Sequence, residues 1–195
     1  MSIVRLDEDG VDVLVLGDSS VIVGRTDQEP ELVVDDRLAH LHNPHRARYR
    51  RRLVDGHGYD EQHRAVLREM QTVQASQRNR ADGYFIAETD PDAARHAITR
   101  RYARHQVDWI ILATDGASDL LQHLRLDDWP AIAADPKQAP QLLRRAHDWE
   151  AQADPDGHQL PRAKRHDDKT LAAITLRPTP LCQGRVRQPD VSASL

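Results

Sequence analysis

Three short acidic segments, each bordering an apolar run, hold the residues best suited to chemistry: LGDSS at 16–20, ATDGAS at 113–118 and HDDKT at 166–170. Asp18, Asp115 and Asp167 are the candidate ligands. A strand that ends in Asp delivers a carboxylate to one rim of a sheet, and several such oxygens can share a divalent cation of the Mg²⁺ or Mn²⁺ type. Taken singly, each segment is also a plain turn, because Asp and Gly terminate strands and the Asp side chain bonds its own backbone. Other chemistries lack their surroundings. Ser19, Ser20 and Ser118 have no G-x-S-x-G elbow, and GHG at 56–58 has neither a third Gly nor a preceding strand. His40, His42 and His45 lack a helical metal spacing and read as surface residues, and His166 reads as a loop residue.

The elements that must carry these carboxylates alternate between strand and helix signals. IVRLDED, a DG turn at Asp9 and Gly10, VDVLVL, VIVGR and ELVV at 31–34 predict a meander of three or four antiparallel strands. Asn43 and Pro44 predict a helix start with the helix running over 44–54, closed by Gly56 and Gly58. A second amphipathic helix is expected over 60–78, where Val66, Met70 and Val73 recur at helical spacing. GYFIAE at 83–88 predicts a strand and DPDAARHAITRRY a short helix, with Asp90 as its cap. VDWIILAT at 107–114 has the length and continuity of a buried central strand. Helices follow over 117–123 and 138–153, and TLAAITL at 170–176 is a final strand.

Composition bounds the class. The chain has 195 residues, a net charge of −4, 39% hydrophobic and 30% charged residues, which suits one globular domain over 1–177. Residues 178–195, with three prolines and the ending VSASL, predict a disordered tail. Nothing in the overall charge draws the chain to nucleic acid or membrane, and aromatics at 4% leave few stacking platforms. The single Cys182 excludes an intrachain disulfide and fits a cytoplasmic location. The densest basic run, RARYRRR at 46–52, reads as a solvated helix face or as a surface for a phosphate-bearing partner.

In their order along the chain, the three segments resemble the metal-dependent type 2C protein phosphatases, the PPM family of Ser/Thr phosphatases, and especially their compact actinobacterial-like members. VDVLVLGDSSVIV is similar to the family's strand–GDS–strand segment, WIILATDGASDLL to its SDG segment and RHDDKTLAAITL to its closing DN-x-T strand. The resemblance implies an α+β fold, a four-layer α-β-β-α sandwich of two antiparallel sheets. It also implies Asp18 at a third metal position, Asp115 bridging toward the core and third sites and Asp167 on the core pair, with Gly116 keeping the backbone close beside Asp115. Asp168 stands where the family has Asn and adds a second carboxylate that could face the metal. Thr114 replaces the usual Ser, and Ser20 the usual Arg. The family's opening acidic strand and DG-x-GG segment do not occur, so the match is to the later part of the usual domain and the fold is expected to be N-terminally truncated.

The implied reaction is removal of phosphate from phosphoserine or phosphothreonine of a phosphorylated protein substrate, with Mn²⁺ or Mg²⁺. A catalytically inactive phosphatase-like binding module, recognising a phosphorylated partner through Arg46–Arg52, is the competing expectation.

Overall fold

Residues 1–177 are described by a computed structural model. The tail expected over 178–195, Cys182 included, lies outside them. Seven strands occur among these residues: β1 (Ser2–Leu6), β2 (Gly10–Val15), β3 (Ser20–Arg25), β4 (Glu31–Val34), β5 (Ile98–Ala103), β6 (Val107–Ala113) and β7 (Leu171–Thr175). The helices are α1 (Arg37–His40), α2 (Pro44–Val54), α3 (Glu61–Gln77), α4 (Asp115–His123), α5 (Trp129–Ala134) and α6 (Ala139–Gln152). The strands form two antiparallel sheets, ordered β1-β2-β5 and β4-β3-β6-β7, so the fold is α+β.

The expected meander is corrected at one point. β2 and β3 are consecutive but belong to different sheets, because the GDSS turn carries the chain from one sheet to the other. The physical reason is visible in the valines. Val11, Val13 and Val15 of β2 alternate inward from one side, and Val21 and Val23 of β3 meet them from the other, joined by Val33 and Ile110. Alternation at period two defines which face is buried and leaves open which sheet a strand joins.

β6 is buried on both faces, as its apolar run from Trp109 to Ala113 requires. Ile110 points into the layer between the sheets, while Trp109 and Ile111 point to the helices on the far side. There Leu120 and Leu121 of α4, Trp129 and Ile132 of α5, and Leu142 and Ala146 of α6 close the second core. A third, smaller core lies between α2 and α3, built from Tyr49, Leu53, Val66 and Met70. The α2–α3 hairpin is tied to the loop after α6 through buried His63, whose Nε2 lies 2.9 Å from the Ala163 carbonyl and whose ring meets Tyr59 edge-on.

Two segments depart from expectation. Residues 83–88 form no strand. Instead Gly83 and Tyr84 fold back on the end of α3, with the Tyr84 N–H donating to the Gln77 carbonyl and the Asn79 N–H to the Tyr84 carbonyl. The apolar character of this segment reflects burial of Phe85 against Leu16 and Ala93 rather than strand pairing. The helix expected from Asp90 stops after a short 3₁₀ segment, Pro91–His96, and Ile98–Ala103 becomes strand β5. Alternation in ITRRYA wins here, since Tyr102 turns into the core between the sheets and Arg101 outward to Asp12. α1 and α5 have no counterpart in the sequence reading.

The outer face of β1-β2-β5 is polar and exposed. Asp12 sits between Arg5 and Arg101 of its two neighbouring strands, at 2.6 and 2.7 Å. No helix among the described residues is long and apolar enough to cross a membrane.

Candidate functional site

One row of strand pairing explains how distant acidic residues meet. Val34 of β4 pairs with Ser20 of β3, Ser20 with Ala113 of β6, and Ala113 with Leu171 of β7. At this rim β3 and β7 begin while β4 and β6 end. The residues just beyond the row are therefore Asp35, Asp18, Asp115 and Asp167. They line a single cleft of about 380 Å³, together with Asp119 of α4 and Tyr49, Arg46 and Arg50 of α2.

Asp18 projects from a turn fixed from behind. Gly17, at φ +81°, donates its N–H to Asp35 at 3.0 Å, and a side chain there would be strained. The buried Asp35 carboxylate is gripped by Arg37 through Nε at 2.7 Å and Nη2 at 2.6 Å. Arg37 also donates to the His96 carbonyl and lies over the Phe85 ring. Burial alone pushes the Asp35 carboxyl upward, but the bonds from Arg37 and Gly17 outweigh it and hold it below the usual carboxylate range.

Asp115 opens α4, where the N-terminal dipole favours an anion. Its carboxyl is nonetheless pushed up to about 6. Burial is the main cause, the charge of Asp18 the next, and Asp167 and Asp119 add to it, while the Gly116 N–H pulls the other way. Asp119, one turn along α4, is raised in the same direction by burial and by Asp18, opposed by its bond to Ser118 and by the charge of Arg50.

Asp167 is brought to Asp115 by a threonine clamp. The Thr114 N–H donates to the Thr170 carbonyl at 3.1 Å, its Oγ1 donates to the Asp168 carbonyl at 3.0 Å, and that same oxygen accepts from the Thr170 N–H at 3.0 Å. Gly116 permits this approach, since a Cβ there would stand 2.7 Å from the Asp168 carbonyl oxygen. Asp167 faces the cleft and is paired with Lys164 Nζ at 2.8 Å. Asp168 is exposed and serves through its backbone.

Behind Asp167 lies a strut that the sequence reading missed. Buried Glu150 of α6 accepts from Lys169 Nζ at 2.6 Å and lies 3.0 Å from His166 Nδ1, and Lys169 also donates to the Asp167 carbonyl. His166 is thus more than a loop residue. With His147, whose ring stacks on His166, Glu150 and His166 form the one group of three potential metal-ligating residues among the described residues whose ligand atoms fall within 4.8 Å of one another. Lys169 and Arg162 already offset the Glu150 charge, which suits a buried anchor for the 166–169 loop better than a cation site.

Asp18, Asp115 and Asp167 do not close to that spacing. Wider separation with hard oxygen ligands suits hydrated Mg²⁺ or Mn²⁺, which keep several waters between themselves and the protein. Burial does most to raise Asp115, and the repulsion from Asp18 and Asp167 that adds to it is what a divalent cation would relieve, so the donor set fits such an ion. Asp119 was missed in the sequence, although its place four positions after Asp115, within the helix expected over 117–123, is a signal that could have found it. Arg50 was legible only as one member of a basic run. The sequence matches no known family model, and no curated protein matches it.

Proposed function

We propose that this chain is a divergent type 2C phosphatase-like domain that hydrolyses phosphate monoesters of phosphoserine or phosphothreonine in a cytoplasmic phosphoprotein, using Mn²⁺ or Mg²⁺ held by Asp18, Asp115 and Asp167. The observation that carries this reading is the convergence of the three carboxylates, from three separate strand ends, on one cleft, where the charges of Asp18 and Asp167 add to burial in raising the proton affinity of Asp115. The architecture that goes with it is the four-layer α-β-β-α sandwich. The helices α4–α6 and the two sheets supply three layers, and the outer face of β1-β2-β5, where Ile3 is 48% exposed, is where a fourth would rest.

Divalent ions bound here would lower the pKa of water toward neutrality and offset charge developing on phosphoryl oxygens. The chain's own part is positional. Asp35 and Arg37 fix the Asp18 turn, the Thr114 clamp fixes Asp167 against Asp115, and the wall supplied by α2 narrows access to the cleft. The test is hydrolysis of p-nitrophenyl phosphate with Mn²⁺ by the protein and by its Asp115→Ala and Asp167→Ala variants. Loss of activity in both supports the reading, and activity surviving both removes the metal from it.

The binding-module alternative is favoured by one observation: Asp167 is already paired with Lys164. A protein that binds phosphopeptide and Mn²⁺ without turnover would decide for it.

A further inference from the structure

Four neighbouring arginines of α2, Arg48, Arg50, Arg51 and Arg52, differ in what they touch. Arg48 pairs with Glu69 at 3.0 Å, Arg52 with Asp60 at 2.7 Å, and Arg51 approaches Asp55 at 3.9 Å. Arg50 makes no ion pair or hydrogen bond among the described residues, although it lines the cleft that holds Asp18, Asp115 and Asp119. Its charge reaches Asp119 without closing on it, lowering the proton affinity of that carboxylate.

The helix that presents Arg50 is firmly seated. Asn43 caps it through the His45 N–H, Tyr49 and Leu53 bury its inner face, and Arg46, one turn before Arg50, donates to the Leu38 and Ala39 carbonyls at 2.8 and 2.6 Å. Arg46 therefore spends its donors on the backbone of α1, while Arg50, on the same helix face at i+4, keeps its planar fork free beside the acidic rim. A guanidinium so placed matches the oxygens of a phosphoryl group bidentately, which a carboxylate-rich wall alone could only repel.

We infer that Arg50 receives the phosphoryl group of a phosphomonoester, holding the dianion between α2 and the rim of Asp18, Asp115 and Asp167. This rests on the phosphatase-like reading for the role of the aspartates, but the contact itself involves only Arg50 and the phosphate. Arg50 acts on the bound anion and leaves the cation ligands untouched.

The experiment is calorimetric titration of the Mn²⁺-supplemented protein with inorganic phosphate, alongside Arg50→Ala, Arg50→Lys and, as a control on the same helix, Arg51→Ala. Arg50→Ala is expected to weaken phosphate binding roughly tenfold or more, Arg50→Lys to recover part of it, and Arg51→Ala to leave it unchanged. Titration with Mn²⁺ alone should be the same for Arg50→Ala as for the unmodified protein, and the Arg50 effect on p-nitrophenyl phosphate should fall on KM more than on kcat. Phosphate binding unchanged in Arg50→Ala, or absent from the unmodified protein, overturns the inference. If Mn²⁺ binding proves insensitive to Asp115→Asn while Arg50→Ala still loses phosphate, the metal reading falls and Arg50 keeps its role.

Discussion

Gly116 lies directly against the backbone of Asp168, so close that a Cβ would meet its carbonyl oxygen at 2.7 Å and Asp167 Cβ at 3.0 Å. This contact keeps the start of α4 beside the start of β7, and hence Asp115 beside Asp167. Gly116→Ala should displace the 167–168 backbone by a few tenths of an ångström, lower stability by about 1–2 kcal/mol and weaken Mn²⁺ binding. Thermal denaturation and Mn²⁺ titration of the variant check both effects.

Asp115 makes stability depend on pH in a predictable direction. Its carboxyl is at about 6 in the folded protein and 3.8 in the reference state, so the folded protein holds the proton more tightly. The contribution is fully present below pH 3.8 and is lost as pH rises through 6. Without divalent cation, Asp115→Asn should therefore be more stable than the unmodified protein at pH 7, by about 1 kcal/mol after allowance for solvent screening, with the gap closing near pH 4. Denaturant melts of both proteins across that range are the measurement. A saturating divalent cation should reverse the order at pH 7.

Removing Asp35 should strand Arg37 and the Gly17 N–H together. Asp35→Ala is expected to cost about 2–4 kcal/mol and to loosen the turn bearing Asp18. Because the Asp35 carboxyl is held below its ordinary value, its contribution is present above the unfolded-state value and lost as pH falls through the folded one. Urea titration at neutral pH, repeated in acid, would register a gap between the two proteins that narrows toward low pH.

Glu150→Ala should leave Lys169, whose side chain is 6% exposed, without its carboxylate partner. The expected loss is about 3 kcal/mol, accompanied by faster amide exchange over 166–169. Glu150→Gln, which keeps an acceptor for Lys169, should lose less.

Much of this arrangement was readable from the residues, in places for identifiable reasons. β6 declared itself because a strand buried on both faces must be apolar throughout, and α2 because Asn43 and Pro44 are a cap and a first-turn residue. The division into two sheets was hidden, since Val13 and Val21 face the same core from opposite sides and alternation is identical for both. Phe85 misled for a related reason: burial in a folded-back loop leaves the same apolar mark as a strand. Asp18, Asp115 and Asp167 stood out because each ends or precedes an apolar run. Glu150 did not, because its partners lie 16 and 19 residues downstream and its own helix gives no sign of them. Arg50 was indistinguishable from Arg48, Arg51 and Arg52 until their individual partners were visible.

The row Val34–Ser20–Ala113–Leu171 sets the spacing of Asp35, Asp18 and Asp115 at the acidic rim by strand register, and the Thr114 clamp carries Asp167 to it. The opposite rim, where Thr26–Pro30 joins β3 to β4 and Arg104–Gln106 joins β5 to β6, has no share in that spacing. Added residues at those far turns would lengthen the molecule and leave the carboxylates where they are, whereas a single residue inserted between Ser20 and Arg25 would turn the valines of β3 outward and carry Asp18 out of line. The domain is therefore freely extensible at one end and almost incompressible in sequence at the other.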